Sequence, residues 1–480
     1  MSKKKEKKIT VECVGMSSID VTGSGYLVTC PTGEKILMDL GIYQSSRPYE
    51  DYKINKRKFD FKPSEITAVI VSHVNADHYC ILPKAVKEGL HCPIYMSEET
   101  IDFTKPMLED SAKIFDRDVQ SFNRKYKKEH SPIYTIEDVE DTLPLFKGCR
   151  KNEFYYISDN VWFRLINAGH IFGSCQIELF IKLPSGVVKK IGYSGDLGNT
   201  LFEQPFVEEY EQITKCSLFI GETTYNDPKR SVKKDQRAKD IETIKNVITQ
   251  TCIDDHGIVL IPTFALQRTE TILYTLWKIF GEDENFKVPI VVDSPLAVKL
   301  LDCFQKNLQG YWLEEFEKMM SWTNIKVIRS VEDSMACVAD ESPKIVCSSS
   351  GMLTQGRSIL YLKKILPRRN CTVLMCGYMA EGGIGWKIKN NPSQKTITID
   401  SKAYPNRCGI KVLNSFSSHM QYEGLLSLYT NLANNGTDVI WLVHGDKNKL
   451  KFKEDLEDKI SKIYKTTKVV ATNRDTVARI

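Results

Sequence analysis

The run TAVIVSHVNADH, residues 67–78, decides the reading of this chain. Its first half is apolar and β-branched, as a buried strand requires. Its second half sets His73, Asn75, Asp77 and His78 within six residues. In α/β proteins the C-terminal ends of strands carry the loops that converge on ligands. Imidazole and carboxylate are the ordinary donors for zinc and similar divalent ions. The stretch therefore predicts a metal site built on a strand end.

Working outward, other polar residues stand in matching places. His170 follows a strand in NAGHIFGS, Asp196 ends one in YSGDLGN, Glu222 ends KCSLFIGE, and His444 ends one in WLVHGD. His419 lies in SFSSHMQYEG, just ahead of a helical pattern. Only eight histidines occur in the chain, and five of them fall in these positions. Singly, each reads first as a satisfied core or surface histidine. Together with residues 73–78 they read as one donor set.

Strand-type runs alternate with helical ones nearly throughout, which predicts an α/β protein with partly parallel sheets. Strands are expected at 11–15, 35–40, 67–72, 161–169, 176–183, 189–196, 215–222, 257–262, 288–293, 344–350, 371–377 and 438–445. Helices are expected at 97–115, 231–251, 266–280, 295–308, 355–365, 420–433 and 447–462. The first 200 residues look rich in paired hairpins and poor in helix, and residues 227–400 look like a regular β–α repeat.

A length of 480 residues implies two to four domains. Apolar residues at 42% and charged residues at 26% exclude a disordered or collagen-like chain. No apolar run reaches the roughly 18 residues of a membrane span. The lysine-rich start MSKKKEKK has no apolar stretch behind it, so it reads as a solvated tail rather than a secretory signal. Fourteen scattered cysteines without a CxxC pair read as reduced thiols of a cytoplasmic protein. A net charge of +5 permits an anionic partner without requiring one.

The 73–78 run resembles the HxHxDH signature of the metallo-β-lactamase fold, with Asn75 where the second His stands. MDLGIYQ (38–44), NAGHIFGS, YSGDLGN, GETTY, IPTFALQRTETIL (261–273), DSPLA (293–297), SSSGMLTQGRS (348–358), GYMAEGGIGWKI (377–388), FSSH and LVHG are similar to segments of the β-CASP nucleases. This resemblance spans nearly the whole chain. It implies an αββα metallo-β-lactamase sandwich formed by residues 1–225 and 406–480, with a β-CASP α/β domain, 226–405, inserted.

The resemblance also implies roles. His73, Asn75 and His170 would hold one metal and Asp77, His78 and His444 a second, with Asp196 bridging. Asp39 would steady the 73–78 loop. Asp77, Glu222 and His419 would serve catalysis. His444, rather than Val at that place, favours RNA over DNA. The implied reaction is hydrolysis of RNA phosphodiesters by a metal-activated hydroxide, leaving a 5′-phosphate and a 3′-hydroxyl. Two divalent metals are expected, zinc first. Asn75 offers a neutral oxygen, which weakens the first site for zinc and suits a harder ion such as manganese. The alternative is a weakened or inactive RNA-binding relative.

Single-stranded RNA is the expected partner, with no membrane, and a homodimer is compatible with the sequence. Arg268, Ser349, Ser350, Gly351 and Arg357 sit at strand–helix turns that suit phosphate. Each such turn taken alone is as readily an ordinary connection. Phe264, Tyr378 and Trp386 are candidates for stacking bases, or else core residues.

Overall fold

A computed structural model describes residues 8–463 and 466–480. The lysine-rich tail read as solvated lies largely outside the described residues. Contacts divide the chain into two units. One comprises the chain through Leu201 with Val207–Ser231 and Ser418–Ile480; the other comprises Phe202–Phe206 and Val232–Ser417.

The first unit holds two seven-stranded sheets. In spatial order the first sheet runs Val477–Arg479, Thr10–Cys13, Gly25–Thr29, Lys35–Leu40, Ala68–Ile70, Ile94–Ser97 and Phe146–Cys149. The second runs Lys468–Ala471, Val439–Val443, Leu218–Glu222, Val188–Tyr193, Cys175–Lys182, Val161–Asn167 and Phe154–Tyr156. Strand alternation explains how they meet. Ile36 and Met38 of the first sheet share one core with Val161, Phe163, Leu165, Ile177 and Leu179 of the second. The other face of the second sheet packs Phe219, Ile440 and Leu442 against helices Tyr422–Asn434 and Lys449–Ser461. Helix Ile101–Tyr126 buries Phe103, Leu108, Phe115, Val119 and Phe122. This is the expected αββα sandwich.

The second unit is built on a six-stranded parallel sheet, ordered Ile325–Val327, Ile290–Asp293, Lys344–Ser348, Ile258–Pro262, Thr372–Met375 and Gly409–Val412. Its central strands are buried along their whole length. Strands covered on both faces read as continuous apolar runs, as IVLIP does here.

Five consecutive strand pairs in the opening 200 residues are antiparallel, as expected of paired hairpins, but the region is not hairpins throughout. Three of the first sheet's pairings there are parallel, and the helix expected at 97–115 continues to Tyr126. Val119 and Phe122 continue the helical spacing of Phe115 beyond the expected end, which keeps that face buried. All 14 cysteines are free thiols. Among the described residues no helix is long and apolar enough to cross a membrane.

Candidate metal centre

Every donor named from the sequence lies in the first unit, most of them just beyond the C-terminal end of a strand and His419 shortly before helix Tyr422–Asn434. Ser72 and His73 follow strand Ala68–Ile70, and the short helix Ala76–Tyr79 carries Asp77 and His78. Gly41 makes that approach feasible: a Cβ there would meet the Asp77 carbonyl at 1.7 Å. Asp39 and His444 both hold left-handed backbone, at φ 56° and 48°. Strain of this kind in non-glycine residues concentrates at working sites.

Two groups of donor atoms converge: His73, His170 and Asp196, and Asp77, His78 and His444. Asp196 faces both. Its Oδ2 lies 3.6 Å from His73 Nε2 and 3.6 Å from His170 Nε2. Its Oδ1 lies 3.2 Å from His78 Nε2 and 3.6 Å from His444 Nδ1. Asp77 Oδ2 is 3.2 Å from His444 Nε2. A third group, Asp196, Glu222 and His419, adjoins these.

The set fits divalent cations on its own chemistry. His73 Nε2, His78 Nε2, His170 Nδ1 and Asp196 Oδ1 are buried and make no hydrogen bond. Buried polar atoms without partners are costly unless something answers them. Nitrogen and carboxylate oxygen are the donors such ions take.

Supporting contacts fix how these donors point. Asp39 Oδ1 accepts from Ser72 N at 2.7 Å, and Oδ2 accepts from Ser72 Oγ and Tyr193 OH, each at 2.7 Å. His78 Nδ1 stands 2.7 Å from the same Oδ2. A carboxylate on one ring nitrogen turns the other toward the metal and raises its basicity. His444 Nδ1 is 3.0 Å from Thr224 Oγ1. Glu222 accepts from Leu197 N and Thr224 N at 2.7 and 3.0 Å and meets His419 Nδ1 at 3.3 Å.

Electrostatics divide the imidazoles. Burial and neighbouring rings push His73 and His170 down, keeping them neutral. Burial also acts against charge on His78, His444 and His419, but adjacent carboxylates overrule it and raise all three. For Asp196 burial acts upward, yet His444 and His78 hold the carboxyl well below its usual range. Protons and cations compete for these lone pairs, so metal binding here displaces protons.

Asn75 sits between expectation and geometry. Its amide nitrogen, not its oxygen, faces His170 Nε2, at 3.3 Å. A half-turn of the amide exchanges the two atoms.

The residues expected to bind substrate belong to the second unit. Arg357 Nη1 pairs with buried Asp293, which also accepts from Tyr361 OH and Ser334 Oγ at 2.7 Å each. A guanidinium engaged in this way ties the 348–358 loop to strand Ile290–Asp293. Ser349 Oγ donates to the Thr263 carbonyl, Ser350 Oγ accepts from Thr354 N, and Gly351 is packed closely on Phe264. The Ser350 hydroxyl is thus engaged within the loop, and that of Ser349 with Thr263 and Ser294 outside it. Arg268 opens helix Arg268–Phe280 and is half-buried. Tyr378 is exposed, whereas Trp386 packs on the core.

Sequence reasoning missed Ser72, Tyr193 and Thr224. Tyr193 stands three residues before Asp196, an odd spacing that gives no sign of a shared face.

Fold and donor set define a metallo-hydrolase of the metallo-β-lactamase type. Residues 269–388 match the Beta-Casp domain, and residues 403–469 match the Zn-dependent metallo-hydrolase RNA specificity domain. Over these two segments the chain is similar to β-CASP proteins of the RNA-hydrolase group, and its donor set suits divalent metal.

Among its relatives is a ribonuclease of Thermus thermophilus, 28% identical over 445 residues, covering 90% of this chain and 92% of that protein. Integrator complex subunit 11 of Danio rerio is 26% identical, covering 92% of this chain and 70% of its own length. The endoribonuclease ysh1 of Schizosaccharomyces pombe is 24% identical over 92% of this chain and 55% of its own.

Proposed function

We propose that this chain hydrolyses phosphodiester bonds of single-stranded RNA, leaving a 5′-phosphate and a 3′-hydroxyl. The observation that carries the reading is Asp196, whose two oxygens face two separate sets of imidazoles. In this reading His73 and His170 hold one cation, with Asn75 beside them. Asp77, His78 and His444 hold another, and Asp196 spans both.

Divalent cations bound there supply Lewis acidity toward phosphate oxygens and lower the pKa of water. The chain's own groups do the rest. Asp39, through His78 Nδ1, keeps His78 Nε2 turned into the site. Glu222 holds His419 by Nδ1 and favours its protonated form. His419 then gives the Nε2 proton to the departing 3′ oxygen, as a general acid does.

Zinc suits the fully nitrogen- and carboxylate-lined second group. Asn75 leaves the first group more receptive to manganese. The intact remainder of the donor set, with Glu222 and His419, supports an active enzyme. We assign residues 1–225 and 406–480 to the metallo-β-lactamase domain and 226–405 to the β-CASP insertion.

Elemental analysis of the purified protein, followed by cleavage of an end-labelled RNA with zinc or manganese restored, tests this. Products ending in 5′-phosphate, lost in Asp196→Ala, are expected. Metal-loaded protein that leaves RNA intact overturns the reading.

A further inference from the structure

Two strongly basic stretches meet in space. RPYEDYKINKRK (47–58) and RKYKKEH (124–130) together hold nine lysines and arginines against three carboxylates, a net +6 that exceeds the +5 of the whole chain. The first stretch contains helix Pro48–Lys56; the second closes helix Ile101–Tyr126 and the turn after it.

Aromatic rings join them. Tyr49 and Tyr126 stack with centroids 4.0 Å apart, His130 Nε2 lies 3.3 Å from Tyr49 OH, and Tyr52 OH donates to the Ser131 carbonyl. Tyr126 keeps 37% of its surface exposed.

Cations at a helix C-terminus are commonplace, because they answer the helix dipole. One or two suffice for that. Here Arg124, Lys125, Lys127 and Lys128 are all exposed, Lys53 lies over the Tyr49 ring and Lys125 over the Tyr126 ring, and Arg47 precedes the helix that carries Tyr49. Lys53 pairs with Glu50 at 2.6 Å; among the described residues the other five make no ion pair. Cations crowded in this way raise the local positive potential, which draws an anion. An exposed ring beside a basic track is the arrangement that single-stranded nucleic acid uses, phosphates on the cations and a base on the ring.

We propose that this surface, formed by Arg47, Lys53, Arg124, Lys125, Lys127 and Lys128 around Tyr126, binds single-stranded RNA. It is a second contact for the substrate, apart from the metal-donor cluster, and it rests on the RNA reading above. Its effect is to hold RNA segments beyond the cleaved bond, so that affinity grows with RNA length.

The test is fluorescence anisotropy with a 30-nucleotide unstructured RNA on the intact protein, across a salt series. The variant carries Arg124→Gln, Lys125→Gln, Lys127→Asn and Lys128→Gln; asparagine respects the left-handed backbone of Lys127. Single strands release about 0.7 counterion per neutralised phosphate, so losing four contacts lowers the salt slope by about 3. Affinity in dilute salt is expected to fall about 100-fold, and Tyr126→Leu alone to cost about fivefold or more.

Wild-type protein that binds and cleaves RNA, with slope and affinity unmoved in the variant, overturns this surface alone. Protein that neither binds nor cleaves RNA overturns the RNA reading and this inference with it. Unchanged RNA affinity alongside lost binding of poly-glutamate assigns the patch to an acidic protein and overturns the RNA assignment.

Discussion

Replacing Asp39 by asparagine removes one charge and alters one atom, yet it should reach the metal. The carboxylate accepts four hydrogen bonds, all near 2.7 Å: one on Oδ1 from Ser72 N, and three on Oδ2, from Ser72 Oγ, Tyr193 OH and His78. In the variant the amide oxygen must stay on Ser72 N, whose hydrogen cannot turn away. The NH2 group then faces two hydroxyls and His78 Nδ1. Hydroxyls rotate and accept instead; an Nδ1–H cannot. His78 must either lose its partner or move the proton to Nε2, the nitrogen turned toward the metal. A charge-assisted bond of this kind contributes about 1.5–3 kcal/mol. That matches the roughly 10- to 100-fold loss of affinity usual when the partner of a metal-bound imidazole is removed. Equilibrium competition with a chromogenic chelator measures it. Zinc affinity within twofold of wild type, in a variant that melts as wild type does, refutes the role given to Asp39.

Three further outcomes are expected. Asn75→His supplies an imidazole beside His170 and should raise both metal content and cleavage rate, read by elemental analysis and RNA turnover; no change in either counts against the donor assignment. Arg357→Ala leaves Asp293 buried without its cation and should cost about 3–5 kcal/mol in urea unfolding, largely recovered in a double variant with Asp293→Asn. Lys449 is held by the Ser18 and Thr472 carbonyls, and burial pushes its amine down to about 8. A lysine depressed on folding costs stability below its folded pKa, and the cost fades as pH rises toward its unfolded value. Wild type should therefore gain on Lys449→Met between about pH 8 and 10.5, by at most about 3 kcal/mol.

Much of the donor set was legible because metal chemistry uses few residue types and strand ends announce themselves. IVLIP and KILMDL could be recognised from their apolar patterns. Short strands such as Ile94–Ser97 and Phe146–Cys149 could not, since four residues show too little alternation to register. Arg357 illustrates a different limit. A guanidinium at a strand–helix turn looks like a phosphate ligand until the carboxylate that engages it, Asp293, 64 residues earlier, is known. Tyr193 and Thr224 were hidden for the same reason: their importance lies in whom they touch.

Strand Val439–Val443 lies inside the second sheet, between Leu218–Glu222 and Lys468–Ala471, and it delivers His444 to donors that begin at residue 73. During synthesis the earliest ligands emerge hundreds of residues before the latest. A ribosome-bound fragment ending at residue 430 has five of the six strongest donors and a sheet with its interior strand missing. Contacts so distant along the chain form late. Nascent protein therefore lacks a finished centre until the strand that carries His444 takes its place in the sheet.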